Sequence, residues 1–434
     1  VVDIQVVSRK KNFLEGKAVN FHSYSPARTE AFCRHFGICG GCKWQNMPYS
    51  DQLKYKQKQV TDNFTRIGRF EFPAVLPIIA SENTMYYRNK LEFTFSDRRW
   101  FTDEDMQKSP ETRQMNGLGF HLPQLFDRIL DIEQCYLQPE PSNRIRLALK
   151  KFALENSLIF YNTRIHEGFL RNLIIRSTIT GGLMVIVVFA RPEFDEEMKL
   201  VLDFLHQEFP EITSLMYVLN TKKNDVITDL HVHLWKGDSY IIEEMPDPHG
   251  GPRLRFKIGP VSFYQTNPLQ AYYLYKTAYD FAGFRGDELV YDLYCGTGTI
   301  SNFVAKSVKK VIGIEYVESA IEDAHVNSDY NGINNTVFYA GDLAKLLNDE
   351  FVRENGRPDV IITDPPRSGM HPKVIDQLLA IGSPKIVYVS CNPATQARDI
   401  AMLTEKYTVE AVQPVDMFPH THHVENVALL KLRD

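Results

Sequence analysis

No stretch of this 434-residue sequence is apolar for long enough to span a bilayer, and no secretory signal opens it. A membrane protein is therefore not expected, and a cytoplasmic one is. Cysteine is scarce, with six residues at positions 33, 39, 42, 135, 295 and 391. Without a secretory context a disulfide framework is not expected, and metal binding or catalysis is the better use for them. Nor is there a broad excess of positive charge: 49 Lys and Arg against 54 Asp and Glu leave a net charge of −5. That argues against non-specific nucleic-acid binding but leaves room for a local basic groove. Internal repeats and low-complexity tracts are missing too. What is present is ordinary for a globular protein, 44% hydrophobic and 24% charged, with 27 Phe and 21 Tyr. The length exceeds one compact core, so two or three domains are expected. The first residue is Val rather than Met, and the expectation is that the chain starts inside a longer protein.

Residues 1–20 read as two strands joined by a charged turn, the tail of a small β-domain. The run FCRHFGICGGCKWQ then sets Cys33, Cys39 and Cys42 in a C-x5-C-x2-C spacing. The glycines between the last pair let backbone N–H groups approach a bound anion or sulfide. Cys135 is the natural fourth ligand. Four cysteines suit a [4Fe–4S] cluster or a structural zinc, and three clustered ligands with one distant favour the cluster. Unligated cysteines are the plain alternative. Residues 50–68 predict a helix capped by Ser50 and stopped by Gly68, with Lys54, Lys56 and Lys58 on a solvated surface. From about 85 to 250 the pattern is β-rich, with helices near 141–156 and 193–208 and a hairpin turn at Gly181-Gly182. Arg88, Lys90, Arg98, Arg99, Arg171 and Arg176 lie there among aromatics, a composition suited to RNA contact or to surface decoration.

From 251 strands and helices alternate, the pattern of a parallel sheet. Strands are expected near 288–294, 310–315, 336–340, 359–363 and 385–390, with an antiparallel pair at 407–415 and 424–432. The first strand runs into VYDLYCGTGTIS, where Gly296 and Gly298 allow a ligand to lie against bare backbone at a helix start. The third glycine of the dinucleotide fingerprint is lacking, so a nicotinamide cofactor is not indicated. Glu315 ends the next strand, suited to ribose hydroxyls, and Asp342 follows the third, suited to an adenine amino group. Asp364-Pro365-Pro366 ends the fourth. Cys391 ends the fifth, in YVSCNP, and Glu425 starts the last. Successive strand ends of this kind are the arrangement of class I S-adenosylmethionine methyltransferases. Cys391 alone reads as an apolar filler; its neighbours make it a candidate nucleophile.

On HFGICGGCKWQ, FYQTNP, DLYCGTGTIS, DPPRSG, SCNPAT and MFPHTHHVEN the chain resembles the RNA (uracil-C5)-methyltransferase family, and within it the iron–sulfur-containing 23S rRNA enzymes. The resemblance runs from about residue 20 to the end. It implies three parts: a remnant of an N-terminal OB-like (TRAM) β-barrel over 1–29, a central α+β iron–sulfur and RNA-binding domain over 30–250, and a Rossmann-like α/β methyltransferase domain over 251–434. It also implies Cys391 as nucleophile and Glu425 as general base, with Asp364 orienting the uracil. S-adenosylmethionine contacts would fall at Gln265, Tyr294, Gly296, Thr299, Glu315, Asp342 and Asp364, and the cluster ligands at Cys33, Cys39, Cys42 and Cys135. His422 and His423 rival Glu425 as base. Phe263 and Tyr264 are expected to stack near a flipped-out target base, and Cys295 to pack behind the glycine loop. The partner expected is 23S rRNA, with tRNA as the alternative substrate. A catalytically inactive ribosome assembly factor and a [4Fe–4S] redox or radical enzyme are the readings from other classes.

Overall fold

The computed structural model describes residues 1–11 and 13–433. Strands β1 (Val2–Arg9) and β2 (Leu14–Phe21) pair antiparallel, as their β-rich composition predicts, in a two-stranded sheet of their own. Helix α1 (Tyr49–Asn63) follows and is prolonged by a π-helical turn, Phe64–Gly68. Its ends differ from expectation. Pro48 rather than Ser50 occupies the N-cap, and no side chain caps the helix. The chain reverses at Arg69, with φ 55°, not at Gly68. Gly68 is glycine for room, because a Cβ there would collide with the Phe70 ring. The larger correction concerns the lysines. Lys54 and Lys58 are exposed, but Lys56 is fully buried with its ammonium 2.6 Å from Asp416.

The central region comprises β3 (Lys90–Ser96), α2 (Asp103–Met106), β4 (Gly117–Leu122), β5 (Leu125–Asp131) and α3 (Ser142–Glu155), then β6 (Leu170–Ser177), β7 (Leu183–Phe189), α4 (Asp195–Glu208), β8 (Ser214–Leu219) and β9 (Val232–Gly237). Its strands form one sheet in the order β5-β4-β3-β6-β7-β8-β9, antiparallel except at β7–β8. The β6–β7 hairpin turns through Gly181 at φ 89°, a conformation that glycine adopts without strain. Two of the arginines expected to suit RNA are structural instead. Arg171 is buried and donates to the carbonyls of Asn220, Lys222 and Asn224, and buried Arg176 donates to those of Gly259 and Pro260. Arg98 and Arg99 are paired with Asp127 and Asp105. A hairpin of β10 (Ile241–Met245) and β11 (Leu254–Ile258) leads out of this region.

The remainder is α5 (Pro268–Ala282), β12 (Leu289–Leu293), α6 (Thr299–Ala305), β13 (Lys310–Glu315), α7 (Glu318–Tyr330), β14 (Thr336–Ala340), α8 (Leu343–Leu346) and α9 (Asp349–Asn355). After these come β15 (Val360–Thr363), α10 (Pro372–Ile381), β16 (Lys385–Ser390), α11 (Pro393–Leu403), β17 (Tyr407–Val415) and β18 (Glu425–Leu432). Every strand expected here is present. The sheet order is β14-β13-β12-β15-β16-β18-β17, with the first five parallel and β18 antiparallel to both neighbours. Parallel strands buried on both faces read as apolar runs, which is why VIIT and KIVYVS were legible as strands. Strand order reverses on either side of β12, so the loops after β12 and β15 diverge and leave a crevice at the carboxyl edge. One apolar core joins the two large sheets: Ile186 and Val188 of β7, Phe256 of β11, Leu274 of α5 and Val387 of β16 belong to a single buried cluster. Among the described residues no helix is long and apolar enough to cross a membrane.

Candidate active site

The crevice begins at the glycine loop. Tyr294 (φ 62°), Gly296 (φ 53°) and Gly298 (φ 72°) all take left-handed backbone, which turns the chain sharply from β12 into α6. The two glycines serve different ends. A Cβ on Gly296 would meet nothing within 4 Å, so that glycine borders open space. A Cβ on Gly298 would press on Ala324 at 3.0 Å and Phe338 at 3.1 Å, so that glycine is there for packing. Cys295 is buried beside the same Ala324 and Phe338, a packing residue as expected. Glu315 closes the loop from β13: one carboxylate oxygen accepts the Gly296 N–H at 3.2 Å, the other those of Tyr316 and Val317. Asp342 caps α8 through the Ala344 N–H at 3.0 Å. Its charge and that of Glu315 both reach Tyr294, whose hydroxyl burial pushes up to about 12.

On the other side of the loop, Thr299 shares a hydrogen bond with the Tyr275 hydroxyl at 3.3 Å, and Gln265, just ahead of α5, is buried. Tyr275, from α5, went unnoticed in the sequence because a tyrosine in an apolar helix carries no local sign of a polar role. Asp292, inside β12, is fully buried and accepts from Ser301 at 2.6 Å, while its second oxygen is buried without a partner. A buried acceptor without a partner is uncommon and marks the strand that runs into the glycine loop. The open space at Gly296 fits a ligand such as S-adenosylmethionine lying against the loop backbone.

Cys391 lies half-buried between β16 and α11, whose first turn is preset by Pro393 and capped by the Asn392 side chain. Burial pushes its thiol up to about 11, and the charges of Glu425 and Asp364 push the same way. The Arg367 guanidinium opposes them, its positive charge favouring the thiolate. This is the partner that the sequence left unidentified. Its loop is held against α11 by Asn392 and Thr395, both donating to the Arg367 carbonyl. Glu425 is buried at the start of β18, and burial, then Asp364, push its carboxyl up to about 8. Asp364 itself is pushed up to about 7, by burial first and the Asp292 charge second. Cys391, Glu425 and Asp364 thus sit within reach of one another's charge, and at neutral pH the resting thiol keeps its proton. His423 is held down to about 4 by burial and the neighbouring cations.

A cavity of about 760 Å³ lies beside this group. Its lining includes Arg367, Phe418 and His423, the four cysteines Cys33, Cys39, Cys42 and Cys135, and Arg88, Lys90 and exposed Phe263. Tyr264 is a correction: its ring is buried in the core and cannot stack on a base. The four cysteines are brought to one cavity and are unpaired thiols. Burial pushes Cys42 up to about 11 and Cys135 up to about 12, and each of these also feels the charge of two of the other thiols. The Gly41 N–H points at the Cys39 sulfur, 3.4 Å away, as the CGGC spacing suggests. Among the described residues, however, no three His, Cys, Asp or Glu side chains converge as ligands of a single metal ion.

The family model described as tRNA (Uracil-5-)-methyltransferase matches residues 177–433. A protein of Bacteroides thetaiotaomicron described as an uncharacterized RNA methyltransferase is 57% identical over 436 residues, spanning 100% of this chain and 94% of its own. A counterpart from Porphyromonas gingivalis, described in the same words, is 54% identical over 98% of this chain and 92% of its own. Among solved structures, the Pyrococcus abyssi tRNA (uracil-54, C5)-methyltransferase in complex with S-adenosyl-L-homocysteine superposes with a TM-score of 0.73 at 28% identity, over 99% of this chain and 92% of that one. Fold, crevice and sequence thus agree, and the chain belongs to the tRNA (uracil-5-)-methyltransferase family.

Proposed function

We propose that the protein methylates C5 of a specific uridine in RNA, with Cys391 as nucleophile, Glu425 as general base and Asp364 orienting the uracil. The observation that carries this reading is that Asp364, Cys391 and Glu425 lie at the same edge of three adjacent strands, β15, β16 and β18, with the charges of Glu425 and Asp364 reaching the Cys391 thiol. C5 of uracil is too weak a nucleophile to take a methyl group unaided. Cys391 first gives up its thiol proton to solvent; the thiolate sulfur bonds to C6, the displaced electrons pass to the C4 carbonyl, and C5 becomes the carbon of an enolate. S-adenosylmethionine, when bound, supplies the methyl group on a cationic sulfonium. Gln265, Tyr294, Gly296, Thr299, Glu315, Asp342 and Asp364 are the residues assigned to hold it. Glu425 then takes the C5 proton, the C5–C6 double bond re-forms and Cys391 leaves. Arg367 favours the thiolate at the first and last of these steps.

Cys33, Cys39, Cys42 and Cys135, which line one cavity, are proposed to hold a [4Fe–4S] cluster rather than zinc, because three ligands are clustered in sequence and one is distant. The division at 29/30 and 250/251 into barrel remnant, central and methyltransferase parts belongs to the same proposal. A 23S rRNA substrate is favoured by the cysteine set; a tRNA substrate is favoured by the likeness to the Pyrococcus enzyme. Mapping the 5-methyluridine lost from total rRNA and tRNA when the gene is deleted decides between them. Incubation with 5-fluorouridine RNA and S-adenosylmethionine should trap a covalent complex on denaturing gels, because fluorine cannot leave as a cation. Cys391→Ala should trap nothing and transfer no methyl group. Normal methyl transfer by that variant would end the proposal.

A further inference from the structure

The segment leading into Glu425 is gripped more heavily than its length requires. Four successive carbonyls accept from four separate places in the chain. Asn267, at the start of α5, donates to Met417 O at 3.1 Å, and Lys56 of α1 donates to Phe418 O at 2.9 Å. The Tyr87 hydroxyl donates to Pro419 O at 3.1 Å, and the N–H groups of Lys43 and Trp44 donate to His420 O at 2.8 and 3.0 Å. At its head, Asp416 is fully buried and takes Lys56 on one oxygen and the Tyr49 hydroxyl on the other. At its foot, the His420 N–H donates to Gln52 at 2.8 Å while His420 holds φ at 64°. A left-handed histidine is uphill and persists only where its surroundings over-determine it. Ordinary loops are not bound in this way; here each carbonyl from Met417 to His420 is satisfied from a distant part of the chain.

We propose that residues 416–420 form a rigid strap whose task is to hold Glu425 against C5 for proton removal, and that Lys56 and Asp416 are its positioning residues. The inference rests on the assignment of Glu425 as base and adds the machinery that aims it. Proton removal is the last step and methyl transfer precedes it. A slackened strap therefore leaves the first bonds, sulfur to C6 and methyl to C5, free to form. It delays transfer of the C5 proton to the Glu425 carboxylate and the departure of the Cys391 sulfur as the double bond returns. The enzyme stalls as a methylated covalent adduct with ordinary uridine RNA.

The test uses total RNA tritiated at uridine C5, prepared from a strain lacking the gene, with S-adenosylmethionine labelled in its methyl group. Methyl incorporation and tritium release are followed in a single turnover. Lys56→Met and, as a milder change, Tyr49→Phe are expected to keep methyl incorporation near normal and slow tritium release roughly tenfold or more, a part of the ~10²–10⁴ that a positioned base contributes. Adduct should accumulate on denaturing gels. Tyr407→Phe, which removes a buried hydrogen bond to Ser383 away from the strap, should change neither ratio. If Lys56→Met and Tyr49→Phe release tritium in step with methyl incorporation and without adduct, the strap is only structural and the proposal fails. Glu425→Gln separates the layers: if it too releases tritium normally, Glu425 is not the base and the reading beneath is at fault.

Discussion

Burial raises the proton affinity of Asp292, Asp364, Glu425 and Cys391, and charge adds to it along a chain: Asp292 acts on Asp364, Asp364 on Glu425, and both Glu425 and Asp364 on Cys391. For the carboxylates this has a definite sign. Glu425 rises from 4.5 to about 8 on folding, and Asp364 from 3.8 to about 7. Between those values the folded chain binds protons that the unfolded chain has lost, so stability falls as pH rises. The contribution is whole below about pH 4 and gone above about pH 8. Melting of the ligand-free protein should show Glu425→Gln flattening this decline, with the largest gain in melting temperature near pH 8. An unchanged slope would mean the carboxyl is solvated. The same residues show what was legible. Cys391, Asp364 and Glu425 announced themselves through strand ends and rigid prolines. Arg367 stood in plain view within DPPRSG, but nothing local says that its side chain turns toward a sulfur 24 positions further along the chain.

Among the elements, the glycine loop and α1 make opposite points. Gly298→Ala puts a methyl group 3.0 Å from Ala324 in left-handed backbone and should cost about 2 kcal/mol of stability. Gly296→Ala has the same backbone burden but open space, so about 1 kcal/mol is expected. Its larger effect should be on S-adenosylmethionine affinity, read by calorimetric titration, since the new methyl group enters the crevice. Equal losses of affinity in the two variants would refute this division of labour. Helix α1 was visible as a helix, but its role was not. Lys56 meets Asp416 across 360 positions of sequence. Removing one member of a pair buried this deeply strands the other charge, and Lys56→Met should lower unfolding free energy by about 3–5 kcal/mol in denaturant titration.

At the scale of the whole molecule, the core does not stop at the edge of either large sheet. Ile186 and Val188 of the central sheet share a buried cluster with Val387 and Val290 of the other. The two should therefore unfold together, and Ile186→Ala should cost roughly 2–5 kcal/mol while preserving one calorimetric transition. Two separated transitions would show independent domains. What the amino-acid order determined alone was local: alternating apolar runs and turns, the residue ending each strand, and the CGGC turn. Those features depend on neighbours within a few positions, so periodicity and turn chemistry expose them. Only the tertiary structure decided that Lys56 and Arg176 are buried, that Tyr264 is core while Phe263 stays exposed, and that Arg367 faces Cys391. In each case the deciding quantity is desolvation by, or charge from, groups distant in sequence. No local pattern encodes which distant surface will cover a side chain.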